Sequence, residues 1–306
     1  MILPKKSQQA ISKKIIVIVG PTASGKSALG VRLAKKVNGE IISADSRQIY
    51  KGLNLASGKI TASEMAGVPH HCLDLVSPKT VFSAGNYAEC AKKAIVDIQK
   101  RGKIPIIVGG TGFYIDVALG RMKTAGVAPD WKLRKNLEKK SVTVLFKILK
   151  KLDQKRAETI EPQNKRRLIR AIEIAKSPSK KIANKKSGNE IYQYFDVLWI
   201  GTKIKPEELR KKINSRLNKR LRAGMVREIK KLRQKGVSWK RLDDLGLEPR
   251  WISRYLRGKI SKDEMISGLL ISIWRYSRRQ MTWFKRNKNI RWIKTRREAE
   301  KLLKKF

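Results

Sequence analysis

The sequence predicts an α/β protein: a P-loop-containing parallel sheet flanked by helices, with a mostly helical insertion domain. Three observations carry that expectation. The apolar run Ile15-Ile16-Val17-Ile18-Val19 leads directly into Gly20-Pro21-Thr22-Ala23-Ser24-Gly25-Lys26-Ser27, which fits G-x-x-x-x-G-K-[ST]. Strand-like apolar runs then alternate with helical stretches, the order of a parallel sheet covered on both faces. From about residue 121 to 190 the alternation stops, and lysine-dense helical periodicity takes over.

Residues 14–19 make the first strand, and the pattern of Ala28, Leu29, Val31, Leu33, Ala34 and Val37 makes residues 26–37 a helix. Glu40-Ile41-Ile42-Ser43 is a second strand, ending at Ala44-Asp45-Ser46. A helix is expected over 84–100, closed by Arg101-Gly102. Ile104-Pro105-Ile106-Ile107-Val108 is a further buried strand running into Gly109-Gly110-Thr111-Gly112. Within the insertion, Ser177-Pro178-Ser179-Lys180-Lys181 and Lys185-Lys186-Ser187-Gly188-Asn189 read as loops. Tyr194-Phe195-Asp196-Val197-Leu198-Trp199-Ile200 returns to the sheet, and the chain from Pro206 onward is helical and basic. The domain reading is therefore a core of 1–120 and 191–306, with 121–190 inserted.

The chain has 306 residues, 41% of them hydrophobic, enough for a substantial core. Its 72 Lys+Arg against 25 Asp+Glu give a formal net charge of +47. A lysine-rich surface explains part of that excess; the rest calls for a polyanionic partner, nucleic acid first. Cys72 and Cys90 have no spacing that suggests a disulfide framework or a zinc site, which fits a reducing, cytoplasmic setting. No apolar run reaches the ~18 residues of a membrane span, and the first dozen residues read as a polar tail rather than a signal peptide.

The glycine-rich loop is an anion trap. Successive backbone N–H groups and a helix N-terminus point at one small volume. Lys26 adds a point charge, and the Ser27 hydroxyl suits a magnesium ion. Gly20 through Ser27 is thus the candidate phosphate site. Asp45 and Thr111 also follow strand C-termini, where ligands bind in such sheets. A carboxylate at Asp45 can ligate magnesium or accept a proton, with a helix N-cap as the structural alternative. The Thr111 hydroxyl can donate to a bridging phosphate oxygen or cap the helix that starts at Phe113. Arg216 lies in a basic helix with Arg210, Lys211, Lys212, Lys219 and Arg220; one arginine folding onto a diphosphate would neutralise a leaving group, but the sequence does not single it out. Lys165-Arg166-Arg167-Leu168-Ile169-Arg170 and the stretch from Trp274 to Lys285 mix basic residues with apolar or aromatic ones, suited to RNA phosphates and bases or to amphipathic packing. His70-His71 does not make a metal site: adjacent side chains point apart, and no acidic or cysteine cluster completes a ligand set.

These motifs, in this order, resemble the tRNA isopentenyltransferase (IPP transferase) family in its bacterial form. The carriers are Gly20–Ser27, Asp45-Ser46-Arg47-Gln48-Ile49-Tyr50, Val68-Pro69-His70-His71-Cys72-Leu73-Asp74, Val108-Gly109-Gly110-Thr111-Gly112-Phe113-Tyr114 and Arg278-Arg279-Gln280-Met281-Thr282-Trp283-Phe284. The resemblance implies transfer of a dimethylallyl group from dimethylallyl diphosphate to N6 of the adenosine 3′ of the anticodon. It implies Asp45 as general base, with Thr111, Lys26 and Arg216 on the diphosphate, and Ser27 with Mg2+ completing that site. Contacts to tRNA are implied for Asp45, Ser46, Arg47, Gln48, Thr111, Arg134, Arg166, Arg167, Arg170, Arg278, Arg279, Gln280, Trp283 and Lys285. The partner would be the anticodon stem-loop and the enzyme a monomer. Asn164-Lys165-Arg166-Arg167 departs from the family's Asp-Pro-X-Arg-like stretch, and Leu242–Glu248 from its usual I-x-x-x-G-Y-like stretch. A chain ending at Phe306, without the zinc-finger extension of eukaryotic relatives, fits the bacterial form. Two other functions share the phosphate loop: an ATP-dependent kinase of a small molecule, and a non-catalytic RNA-binding protein. The +47 charge and the lack of an arginine-rich lid weigh against the kinase.

Overall fold

The computed structural model describes residues 14–178 and 195–306. The expected N-terminal tail, the loop at 185–189 and most of the loop at 177–181 lie outside these residues, as does Tyr194. The chain divides into two compact units, Met1–Met122 with Ile191–Phe306, and Lys123–Glu190.

The first unit is built on β1 (Lys14–Val19), β2 (Gly39–Ala44), β3 (His70–His71), β4 (Ile104–Gly109), β5 (Asp196–Thr202) and β6 (Arg291–Ile293). They form one parallel sheet in the order β3-β2-β4-β1-β5-β6. β1 is central because both its neighbours bury it: Val17 pairs with Ile107 of β4 on one side and Trp199 of β5 on the other. Its five residues Ile15 to Val19 are wholly inaccessible, which is why the run carries no polar alternation. The fifth strand starts at Asp196, two residues later than the apolar run suggests, because pairing begins opposite Lys14. The edge strands β3 and β6 have two and three residues and no apolar run to reveal them.

The helices of this unit are α1 (Lys26–Lys36), α2 (Ala62–Met65), α3 (Ala84–Lys100) and α4 (Gly112–Ala118), then, after the insertion, α9 (Pro206–Arg222), α10 (Met225–Gln234), α11 (Trp239–Leu245), α12 (Leu247–Leu256), α13 (Lys262–Phe284) and α14 (Arg296–Lys304). Leu29, Leu33 and Ala34 of α1 and Ala299 of α14 cover one face of the sheet with Ile16, Ile18 and Ile106. Tyr87, Ala91 and Ile95 of α3 and Tyr114 and Ile115 of α4 cover the other with Val17, Ile42 and Ile107. A further core joins Ile49, Leu53 and Ala56 to α9, α10 and α13. That core holds the segment after β2 against the C-terminal helices. Cys72 and Cys90 are free thiols with their sulfurs 2.7 Å apart. His71 Nε2 donates to the Glu40 carboxylate, which also takes Arg101 and Lys103, so His71 has a structural partner.

The second unit contains α5 (Trp131–Glu138), α6 (Val142–Leu152), α7 (Gln154–Thr159) and α8 (Lys165–Lys176), packed around Leu137, Leu145, Leu149, Leu168 and Ile172. Its polar keystone is Glu173, 2% exposed. The Glu173 carboxylate accepts from Arg134 Nε at 2.8 Å and Nη2 at 2.7 Å, from the Asp130 N–H at 2.7 Å, and from Arg170. Arg170 also donates to the Val127 carbonyl at 2.7 Å.

Burial alone would raise the Glu173 carboxyl, but the two arginines and the Asp130 amide hold it below its ordinary value. A depressed carboxyl contributes stability above its unfolded pKa and loses it as pH falls. Glu173→Gln is therefore expected to destabilise this unit by about 2–3 kcal/mol near neutrality. The thermal unfolding transition of the unit should come earlier in the variant, and the gap to wild type should narrow in acid.

Candidate active site

Three loops meet at the carboxyl edge of the sheet. The first follows β1. Gly25 caps α1 at φ 84°, a left-handed conformation that glycine adopts without strain, and this turns the loop N–H groups inward. Ser24 Oγ lies 2.7 Å from Thr202 Oγ1 at the end of β5, which fixes the far side of the loop. Lys26 Nζ donates to the Pro21 carbonyl at 3.1 Å. The second and third loops follow β2 and β4 and are stitched together: the Thr111 N–H donates to Ala44 O at 3.1 Å, and the Ser46 N–H to Thr111 Oγ1 at 3.1 Å. Thr111 is the N-cap residue of α4 but makes no side-chain cap, so its hydroxyl serves the Ser46 turn instead. Asp45 caps no helix either; its Oδ1 accepts from the Arg47 N–H at 2.9 Å.

A fourth segment, Asn54–Gly58, is pinned from the helical side. Glu228 of α10 accepts the N–H groups of Asn54, Leu55 and Ala56 at 3.0, 2.8 and 2.9 Å. From α9, Arg220 donates to Leu55 O at 3.0 Å and to Glu248 at 2.8 Å, and Arg216 donates to Gly58 O at 2.9 Å. Of the basic residues of α9, Arg216 and Arg220 thus reach this segment, and Arg216 also lines the cavities beside the phosphate loop.

These segments enclose three cavities in series. A wide one of about 450 Å³ is lined by Arg47, Arg220, Arg250, Arg275 and Arg279 with Trp251 and Tyr276. A narrow one of about 50 Å³ is lined by Lys26, Ser27, Ser43, Gln48 and His70 with the apolar Ile41, Ile60 and Val108. Thr22, Asp45, Ser57 and Arg216 line both. A third cavity, of about 370 Å³, continues outward past Lys26, Ser27, Gly58, Ile60 and Arg216, all shared with the narrow one. A carboxylate and a guanidinium therefore stand where a wide, cation-lined chamber meets a narrow channel ending on a phosphate loop.

The family described as IPP transferase matches residues 48–287. The tRNA dimethylallyltransferase of Pelotomaculum thermopropionicum is 36% identical over 297 residues, 96% of this chain and 95% of that one. The chain belongs to the IPP transferase family. The tRNA dimethylallyltransferase of Acetivibrio thermocellus is 39% identical, with 91% of each chain covered. The crystal structure of the tRNA isopentenylpyrophosphate transferase from Bacillus halodurans superposes with a TM-score of 0.68 at 35% identity, covering 92% of this chain and 90% of that one. A eukaryotic dimethylallyltransferase acting on tRNA gives a TM-score of 0.74 at 29% identity, over 89% of this chain and 70% of that one.

The structure gathers Gly20–Ser27, Asp45, Ser46, Arg47, Thr111, Arg216 and Arg279 of the expected site residues at this IPP transferase centre. Others also make contacts within the protein. Gln280 is 5% exposed and bonds to backbone on both sides, at the Thr22 N–H and the Gly110 carbonyl. The Trp283 indole donates to Asp116 at 2.8 Å and packs edge-on against Phe113. Gln48 donates to Gly58 O at 3.2 Å and accepts from Ser43 Oγ at 3.1 Å, bracing the channel wall. Arg134 and Arg170 are committed to Glu173, and Arg167 pairs with Glu161 at 3.2 Å. Arg166, Arg278 and Lys285 are exposed. Sequence reasoning missed Glu228 and Glu248, and took in Tyr276 only as part of the stretch from Trp274 to Lys285. Glu228 carried a signal: a single acid beside Arg227, Lys230 and Lys231.

The Ser27 hydroxyl and the diphosphate-side cavity it lines fit a magnesium ion, a hard cation that takes oxygen donors and leaves its remaining positions to phosphate and water. Among the described residues no group of three His, Cys, Asp or Glu could hold a metal alone.

Burial lowers the Lys26 ammonium to about 8, Arg216 adding to the shift and Asp45 opposing it. The cationic form, which binds an anion, is dominant below pH 8 and lost above it. Affinity for an alkyl diphosphate is expected to fall roughly ten-fold between pH 7 and pH 9 by calorimetry. Lys26→Arg, whose charge does not titrate there, should give a flat profile.

Proposed function

We propose that this protein transfers a dimethylallyl group from dimethylallyl diphosphate to N6 of the adenosine 3′-adjacent to the anticodon, position 37, in tRNAs reading codons that begin with U. The observation that carries this reading is the junction at Asp45. The narrow channel suits a small branched alkyl chain on a diphosphate, and the wide basic chamber suits an extruded nucleotide with its phosphates. The curated relatives bear the name of this activity over nearly their whole length.

In this reading the diphosphate lies on the Gly20–Ser27 loop, where Lys26 and Arg216 neutralise it. Ser27 would ligate Mg2+, which supplies further charge neutralisation to the leaving group. Ile41, Ile60 and Val108 take the alkyl tail. The adenine enters from the wide side, past Arg47, Arg279, Tyr276 and Trp251. The N6 lone pair attacks the carbon bearing the diphosphate, a C–N bond forms as the C–O bond breaks, and diphosphate leaves. Asp45 accepts the proton from N6. Thr111, tied to the Ser46 amide, keeps the Asp45 turn and the β4 loop in register. The chemistry needs little beyond alignment and charge compensation, so binding geometry does most of the catalysis.

The exposed Arg278, Lys285, Arg166 and Arg167 supply phosphate contacts outside the chamber, and the +47 charge supplies long-range attraction. No helix among the described residues is long and apolar enough to cross a membrane. A monomer acting in the cytoplasm, where tRNA is found, fits this reading.

Asp45→Ala is expected to lower single-turnover transfer by roughly 10²–10⁴-fold while keeping tRNA affinity, measured with saturating alkyl donor. Loss of tRNA binding with chemistry intact would contradict the role of base. Separately, tRNA affinity should drop at least about ten-fold when salt rises from about 50 to about 200 mM. A flat response would remove the basic surface from the account.

A further inference from the structure

Gln280 sits in the last turns of α13, 5% exposed. Its side-chain oxygen accepts the Thr22 N–H of the phosphate loop at 2.8 Å. Its side-chain nitrogen donates to the Gly110 carbonyl at 2.9 Å. One amide thus spans the loop after β1 and the loop after β4. The approach is close enough that a Cβ built on Gly110 would overlap the Gln280 nitrogen, so the glycine there makes room for this contact. One helical turn earlier, Tyr276 shares the same face and lines the wide chamber. Arg275 and Arg279 on the same helix line the wide chamber.

The position of Thr22 explains what this clamp can do. Thr22 lines both the wide chamber and the narrow channel, as Asp45 does. Gly110 precedes Thr111, whose hydroxyl holds the Ser46 amide beside Asp45. The path from the diphosphate loop to the base therefore runs through Thr22, Gln280, Gly110 and Thr111. An interior amide with both ends used is rigid, because breaking either bond strands a buried polar group.

We propose that Gln280 is a positioning residue: it sets the distance between the diphosphate on the phosphate loop and the carboxylate of Asp45, without touching either substrate. The inference rests on the transferase reading given above. It assigns the glutamine an alignment role rather than RNA contact.

The test uses three variants of the full chain. Gln280→Met keeps length and volume and removes both bonds. Gln280→Glu keeps the oxygen that accepts from Thr22 and loses the donor to Gly110. Ser277→Ala is the control: Ser277 is 1% exposed in the same helix, and its hydroxyl bonds only to Trp274 of that helix, at 2.7 Å. Single-turnover transfer, tRNA affinity and affinity for an unreactive alkyl thiolodiphosphate are measured well below each melting temperature. Gln280→Met is expected to lower the transfer rate roughly 10–100-fold and to weaken thiolodiphosphate binding, with tRNA affinity within about two-fold of wild type. Gln280→Glu should recover the thiolodiphosphate affinity while its rate stays low. Ser277→Ala should transfer at the wild-type rate. A wild-type rate in Gln280→Met, a loss of tRNA affinity that accounts for its rate, or an equal loss in Ser277→Ala would overturn the proposal. Were the wild type itself inactive in transfer, the functional reading would fall. The thiolodiphosphate affinities of the two Gln280 variants would still decide whether the glutamine aligns the loop.

Discussion

Two cations, Lys26 and Arg216, line one narrow channel with a single carboxylate, Asp45. Like charge and burial oppose them, and both are held below their ordinary pKa values. The site is therefore built for an anion that the protein does not itself supply. Much of the surrounding structure serves to hold this arrangement together. Gly25 shapes the loop, Thr202 ties it to β5, and Glu228 and Arg220 fix the segment whose Gly58 carbonyl holds Arg216.

The same electrostatic constraint acts across the chain. With 72 basic residues and 25 acidic ones, carboxylates are scarce. Those that are buried or pinned have organising roles. Glu40 gathers Arg101, Lys103 and His71 beneath the sheet edge. Glu173 gathers Arg134 and Arg170 in the inserted unit. Glu248 holds Arg220. Buried pairs of this kind add little net stability over apolar packing but are costly to break, so they fix conformation more than they add stability. Many other basic side chains are exposed, Arg278 and Lys285 among them.

The parts of this design that were legible in the sequence are those with local signatures. The strand-loop-helix around Gly20–Ser27 is readable because β1 is wholly buried and the loop chemistry is fixed by spacing. Asp45 and Thr111 follow strands and so fall at the ligand edge by topology alone. What could not be read depends on long-range contact. Arg216 is told from Arg210 and Arg220 by the partner it reaches, the Gly58 carbonyl 158 residues away. Gln280 and Trp283 lie in a basic-aromatic stretch that looks like an RNA surface, yet the helix turns both inward. The ion pair of Arg134 with Glu173, 39 residues away, is likewise invisible in the sequence. The short strands β3 and β6 carry no apolar run, because two or three residues at a sheet edge need none.

The central claim is that alkyl donor and tRNA meet at Asp45. The most direct measurement incubates the protein with unmodified tRNA, magnesium and labelled dimethylallyl diphosphate, followed by mass spectrometry of the digested nucleosides. The account predicts one adenosine, next to the anticodon, heavier by a single dimethylallyl group. No modified nucleoside with any tRNA, together with phosphoryl transfer from ATP under the same conditions, would contradict it and make the narrow channel a nucleotide site.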